Sequence, residues 1–581
     1  MTSPHTSGPD GKRLLIALAI ATTIMMGWQY FYERPQLEAR REQALVAAES
    51  KAKPDVSTAH AEPKAVALAP ITAVADAPRV KINSASLHGS ISLQGLRFDD
   101  LALVNYRENI NPESPEVRLL NHAGSADAYF AEVGMLAGDA SVAVPDATTR
   151  WETNSREMSE TKPVTMRWNN GAGLVFEKKI SIDKDFMFTI TTTVKNSGSA
   201  PVTLFPYGLI SRNYADTSKH YIIMHEGPLG VMHNVLEDLT YKALREDGPK
   251  EFTGTQGWIG MTDKYWLTAL IPEAGQTFDA NYKHFKRGGG IDAAAEGRDA
   301  YQTDLRGTAM HVPVGETASF TVRLFAGAKL VHLLDRYSAQ YTIPLFDRAV
   351  DFGSLYFLTK PIFSLLNYFH GLVGNFGIAI LLLTVVIKIL LFPLASKSMT
   401  AMARMKQLMP KMEEIKARYS NDKMKMNQEM MALYKREKVN PVAGCLPILL
   451  QIPVFLALYR VLFVTIEMRH APFFGWVSDL SVPDPTNLFT LFGMVPWDAP
   501  SFLHLGIWPM IMCATMVIQQ RISPKPADEI QAAVMTYMPF IFLFLFASFP
   551  AGLVIYWAWN NTLTILQQLY INYRLEKKGL K

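Results

Sequence analysis

Gly377-Ile-Ala-Ile-Leu-Leu-Leu-Thr-Val-Val-Ile-Lys-Ile-Leu-Leu-Phe-Pro393 is the run on which the reading of this chain turns. It approaches the roughly 20 apolar residues that cross a bilayer. It holds one charge, Lys388. A lone ammonium in an apolar helix is expensive, and two arrangements relieve the cost. The stem could carry the charge to the headgroups, near Lys397. Alternatively, Lys388 could face a wet, positively charged cavity inside a helix bundle. The helix alone leaves both open.

Further apolar runs follow. Asn440-Pro-Val-Ala-Gly-Cys-Leu-Pro-Ile-Leu-Leu-Gln-Ile-Pro-Val-Phe-Leu-Ala-Leu-Tyr459 opens a span over about 442–463, with Gln451 as its buried polar group. Membrane helices tolerate prolines such as Pro447 and Pro453 when neighbours satisfy the freed carbonyls. Spans at about 505–520, 534–549 and 553–570 complete the set. Only Pro550-Ala-Gly552 separates the last two, which predicts a tight membrane hairpin. Between Pro393 and the 442–463 span, residues 396–438 read as an antiparallel helical hairpin. Its seam is Met402, Met405, Met409 and Met412 at 3-4-3 spacing, continued by Ile415 and Tyr419, then Met426, Met430 and Leu433 after Ser420-Asn-Asp422. Soft methionine faces suit variable apolar partners, although a packed seam accounts for the same spacing.

Upstream lies a helix behind Pro361, with Ile362, Leu365, Leu366 and Phe369 on one side and Ser364, Asn367 and His370 on the other. Pro361 suits a first helical turn. Residues 346–374 therefore read as an amphipathic helix in the membrane surface, or as a helix closing the preceding domain. That domain, 79–345, changes period. Phe186, Phe188, Ile190, Thr192 and Val194 alternate with Met187, Thr189, Thr191, Thr193 and Lys195, and Phe320, Val322 and Leu324 repeat the alternation. Met166-Arg-Trp168 and Leu174-Val-Phe176 flank a Gly-rich turn and read as a hairpin. Many short alternating strands predict a large all-β sandwich. Its histidines, among them His220, His225 and His233, have no metalloprotease spacing, and no Gly-rich phosphate loop occurs. The sequence thus points to no enzyme and no cofactor.

At the front, Lys12-Arg13 precedes an apolar stretch that ends in Trp28, Tyr30, Phe31 and Tyr32. A basic front and apolar core also describe a signal peptide. No small-x-small cleavage site follows, which favours an uncleaved anchor within 1–34. Residues 35–78 are rich in Ala, Glu, Lys and Pro and read as a flexible linker.

The whole chain has 581 residues, 49% of them hydrophobic, and a net charge of +4, which implies no general affinity for nucleic acid. Its two cysteines, Cys445 and Cys513, sit in apolar segments, so neither a disulfide framework nor a thiolate metal site is expected. Charge then sets orientation. Segment 395–441 holds 11 Lys/Arg against 5 Asp/Glu, while the loop 465–504 holds one against 4 and the tail 571–581 holds 4 Lys/Arg. The positive-inside rule puts hairpin and tail in the cytoplasm, and the 465–504 loop outside. Six spans with both termini inside satisfy these counts and leave the sandwich in the periplasm of a bacterium. Thr384 and Lys388, Gln451, and Asn560-Asn561 are then too many polar groups for an inert bundle, which favours a cavity at Lys388 over snorkelling.

The chain resembles the YidC/Oxa-type membrane protein insertases in their six-span Gram-negative form. The residues that carry this are Gln428-Glu-Met-Met-Ala-Leu-Tyr-Lys435, Glu437-Lys-Val-Asn-Pro441, Gly444-Cys445-Leu-Pro447, Gln451-Ile-Pro-Val-Phe-Leu-Ala-Leu-Tyr459, Arg469-His-Ala-Pro-Phe473, Phe549-Pro-Ala-Gly-Leu-Val-Ile-Tyr556 and Leu575-Glu-Lys-Lys-Gly579. The resemblance implies an α-helical polytopic membrane protein, with an insertase core over 375–581 plus an N-terminal anchor helix and a periplasmic sandwich. It implies insertion and folding of nascent inner-membrane proteins, alone or with the Sec translocon, through a hydrophilic groove open to cytoplasm and lipid. Lys388 stands where the family usually has arginine. Thr384, Gln451, Tyr556, Trp557 and Asn561 fall near the groove or its substrate path, and the family often has tyrosine at the position of Trp557. The hairpin with Met402, Met405, Met409, Met412 and Met430, and the basic tail, would recruit partners; the resemblance implies ribosomes and the signal recognition particle receptor, besides membrane lipid. A transporter that binds substrate at Lys388 is the competing class, but the inverted repeats common in such folds are not apparent.

Overall fold

The computed structural model describes residues 77–213, 224–286, 297–420, 422–437, 446–493, 495, 504–523 and 529–577. The anchor expected within 1–34, linker residues 35–76 and His220 lie outside these residues. The chain divides into two compact units, one ending at Ala349 and the other starting at Val350.

The first unit is a sandwich of an 11-stranded and a 9-stranded sheet. The alternation at Phe188, Ile190, Thr192 and Val194 becomes the strand Met187–Asn196, with all four side chains buried. It lies between two antiparallel neighbours, Leu174–Ile182 and Thr317–Ala328, with Ile190 opposite both Ile180 and Val322. The expected hairpin is present: Val164–Asn169 pairs with Leu174–Ile182, and Trp168 faces Phe176. Its turn needs glycine. Gly173 has φ +93°, and a Cβ there would stand 2.5 Å from the Gly198 Cα.

The core lies between the sheets. Phe98 and Phe188 meet across it, ring centroids 5.1 Å apart. His225 accompanies the Pro228 carbonyl at 3.0 Å, and His233 sits in a turn at φ +50°. The helix α1 (Tyr241–Asp247) starts on a Thr240 cap, and α2 (Val331–Tyr341) follows the last strand. The next turn, Phe346–Ala349, is part of the sandwich: Phe346 is fully buried and packs edge-on against Trp258 and Phe325.

The second unit is helical: α3 (Tyr356–Val373), α4 (Phe376–Arg418), α5 (Lys423–Arg436), α6 (Leu446–Val464), α7 (Ile507–Ile522), α8 (Glu529–Phe546) and α9 (Ala551–Lys577). The break between α3 and α4 is written in two residues. Gly374 is left-handed (φ +67°) and closes α3 by donating to the His370 carbonyl at 2.7 Å. Asn375 then caps α4, its side chain accepting from the Ile378 N–H at 3.1 Å. Within the first turn, Gly377 admits the Phe473 ring, which a Cβ would meet at 1.9 Å.

Two expectations are corrected. The sequence suits Pro361 to the first turn of its helix, but α3 begins at Tyr356, so the proline sits a turn further in. The sequence puts the end of the span near 394 and the helical hairpin from 396. Instead α4 continues through Pro393 and Pro410 as one helix of 43 residues. A proline removes one backbone donor and tilts a helix without having to end it when its neighbours keep helical order. At about 1.5 Å per residue, α4 is roughly twice the thickness of a bilayer core. Its distal half is therefore the first arm of the hairpin, and α5 is the second.

Candidate functional site

Lys388 sits two-thirds along the apolar part of α4, next to Ile389 and Leu390, which are 66% and 73% exposed. Those two face outward, as residues covered by lipid would. Lys388 does not follow them. Its Nζ crosses to α9 and donates to the Thr564 Oγ1 at 2.8 Å. The side chain lies within the bundle and does not snorkel along the helix.

The space beside it is a cavity of about 40 Å³, large enough for more than one water. Three helices wall it. From α4 come Thr384, Lys388 and the apolar Ile387, Leu391, Leu394 and Ala395; from α6, Gln451 and Val454; from α9, Tyr556, Asn560 and Gln567. Thr384 is buried and satisfies its own proton on the Ile380 carbonyl at 2.7 Å, which leaves its oxygen as an acceptor. Among the described residues, Lys388 is the only ionisable group in the lining besides the Tyr556 phenol. Such a site offers a positive charge, amide and hydroxyl partners, and low-dielectric walls, a setting that suits an anionic or polar group.

The structure brings Lys388, Thr384, Gln451 and Tyr556 together and separates two other expected residues. Asn561 points to the next helix, donating to the Thr515 Oγ1 on α7 at 3.3 Å. Trp557 sits in an aromatic group with Phe455, Phe542 and Phe546. A step of one residue rotates a helical side chain by about 100°, so 557 and 561 share the neighbouring face. The sequence carried that signal: Tyr556, Asn560, Thr564 and Gln567 follow a 4-4-3 spacing.

The helices are fixed by polar clasps. The Trp559 Nε1 donates to the Leu381 carbonyl at 3.2 Å, joining α9 to α4. Gln520 of α7 donates to the Met535 carbonyl of α8. At the opposite end from the hairpin, Arg460 of α6 pairs with Asp351 at 3.0 Å, ahead of α3. The segment between α6 and α7 folds around the buried Asp484, which accepts from the Trp476 Nε1, the Thr486 N–H and hydroxyl, and the Trp508 N–H at 2.7–3.1 Å.

Comparison with known proteins agrees over both units. A family profile described as 60Kd inner membrane protein matches residues 368–578, and one described as YidC periplasmic domain matches 79–365. Membrane protein insertase YidC of Rickettsia felis is 46% identical over 560 residues, which cover 96% of this chain and 98% of that protein. The chain belongs to the YidC family of membrane protein insertases. Its counterpart in Rickettsia bellii is 47% identical, with 97% and 99% covered. A solved active YidC insertase with its first transmembrane domain resolved aligns at 17% identity and TM-score 0.34, covering 86% of this chain and 94% of that one.

In this YidC-family chain the hairpin methionines divide. Met412 is buried with Leu408 and Leu433 in a seam between α4 and α5, and Met405 and Met430 pack against it. Met409 is half-buried, and the Met402 side chain lies outside the described residues. Among the described residues, the most exposed methionine of the hairpin is Met424, at 74%, which the 3-4 spacing does not select.

Proposed function

We propose that this chain inserts membrane proteins by holding the polar end of a client in the Lys388 cavity while the client's apolar helix moves into lipid. The observation that carries the reading is the inward turn of Lys388 onto α9, beside Thr384, Gln451 and Tyr556. A polar tail meets its main barrier in the apolar core of the bilayer. A cavity with a cation and several hydrogen-bonding side chains lowers that barrier without a nucleotide. Release needs no further drive, because a client helix gains about 0.8 kcal/mol per buried methylene.

The topology belongs to the same proposal: six spans in the inner membrane, both termini cytoplasmic, the sandwich periplasmic. Charge asymmetry across the apolar runs supports it. The domain scheme in which 375–581 forms the insertase core, and work beside the Sec translocon with ribosome and signal recognition particle receptor docking on hairpin and tail, are further parts of it. The family membership is their support.

The test is site-specific photocrosslinking in a host depleted of its own insertase, with the probe at Thr384 or Gln451. Nascent membrane proteins should crosslink from both positions during insertion. Crosslinks from Ile389 or Leu390 but none from Thr384 or Gln451 would refute the cavity as the route.

A further inference from the structure

We infer that Thr564 is the positioning residue for the Lys388 charge, an inference that rests on the cavity reading above. The Lys388 Nζ donates to the Thr564 Oγ1 at 2.8 Å. The proton of that hydroxyl is already engaged: it donates to the Asn560 carbonyl one turn earlier, at 2.7 Å. The threonine oxygen is thus held with its lone pairs toward the ammonium. An ammonium has three N–H donors, so anchoring one directs the others to the cavity.

Thr564 does not itself line the cavity, whereas Asn560 and Gln567 on either side of it do. It acts on a client through Lys388. The need for such an anchor follows from lysine. Its ammonium is a point charge on a flexible stem, without the rigid fork of a guanidinium. The next two residues of α4 face outward, so an unanchored Lys388 has an exit toward the headgroups. Thr564 closes that exit by offering an acceptor inside the bundle. Valine at 564 keeps the branched shape and removes the acceptor; serine keeps the acceptor and loses a methyl.

The experiment uses the full chain in a host depleted of its own insertase. Two client sets differ only in whether the translocated tail is acidic or uncharged, and all variants are compared at equal protein level. T564V should lower insertion of acidic-tailed clients by about tenfold or more, the low end for one lost hydrogen bond to a charged group, and leave uncharged tails near wild type. T564S should restore insertion of acidic tails. The double variant K388M/T564V should be no worse than K388M, a non-additivity that a packing role would not produce. Three results overturn the inference. If K388M impairs acidic-tailed clients and T564V does not, Thr564 positions nothing. If T564V lowers both client sets equally, or adds in full to K388M, it is a packing residue. If K388M inserts acidic tails like wild type, the cavity reading itself fails and this inference falls with it.

Discussion

Phe455 on α6 and Trp557 on α9 meet edge to face, ring centroids 4.8 Å apart at an interplanar angle of 88°. Phe542 and Phe546 of α8 complete the group, at 6.1 and 5.1 Å from the indole. Trp557 therefore joins three helices. Replacing it with alanine should lower stability by about 3 kcal/mol, the low end for a large aromatic because the indole is only half-buried. Trp557→Tyr should stay within about 1 kcal/mol, since an aromatic edge remains. Thermal unfolding of the purified protein in lipid nanodiscs checks both. If the alanine variant melts like wild type, the aromatic group is not a clasp.

How far the sequence foretold this architecture differs between elements. The sandwich was legible because Phe188 to Val194 alternates with period two, and a buried sheet face admits no other register. The boundary at 374–375 was legible, while the caps that make it, a left-handed Gly374 and the Asn375 amide, belong to the structure. The length of α4 was not, because Pro393 reads locally as an end and only the packing around it says otherwise. At the cavity, Lys388, Thr384 and Gln451 stood out as polar residues in apolar runs. The choice among Asn560, Asn561 and Trp557 required the rotation of α9, which single residues do not carry but the 4-4-3 series does. Thr564 shows in the sequence as one polar residue of the last span among several, and nothing sets it apart, since a threonine in a membrane helix ordinarily satisfies its own hydroxyl on the preceding turn, as this one also does.

Lys388 itself allows a graded prediction. Lys388→Arg should insert clients like wild type, because the charge and its reach are kept. Lys388→Met should impair clients with acidic tails and spare uncharged ones. Lys388→Glu should be the worst, since it repels acidic tails where solvent screens weakly. Insertion measured by protease protection of the translocated tail ranks the variants. Equal insertion by wild type, Met and Glu variants would leave Lys388 without a role.

Asp484 predicts a structural effect at the other end of the helical unit. Its carboxylate takes donors from both Trp476 and Trp508, so it ties the long connection to the start of α7. Asp484→Ala leaves those donors without their acceptor and should cost about 3 kcal/mol or more, given that hydrogen bonds to charged groups contribute about 1.5–3 kcal/mol each. Asp484→Asn keeps an acceptor oxygen and should fall in between. Denaturant unfolding of the solubilised protein, followed by tryptophan fluorescence, reads the order. An alanine variant as stable as wild type would show that the connection is held by other contacts.

The sandwich carries a titration of its own. Lys178 is 4% exposed, lies over the Trp151 ring at 5.1 Å, and donates to the Val133 carbonyl of the opposite sheet. Burial pulls its ammonium down from the ordinary lysine value to about 8, against a smaller upward pull from Glu132. Glu132 already pairs with the buried Arg97 at 2.9 Å and accepts the Tyr207 hydroxyl at 2.5 Å. Between about pH 8 and the ordinary lysine value of about 10.4, the unfolded chain holds a proton that the folded one has released. More protons on the unfolded side mean that stability rises with pH in that window, by up to about 1.4 kcal/mol per pH unit. Below about pH 8 both states are protonated and the term is flat. Lys178→Met removes the titrating group and keeps a flexible apolar stem, so the unfolding free energy of wild type should rise relative to that of this variant as pH goes from 8 to 10. Trp151 fluorescence reports the unfolding. A difference that does not change with pH would mean that the buried ammonium keeps an ordinary affinity for its proton.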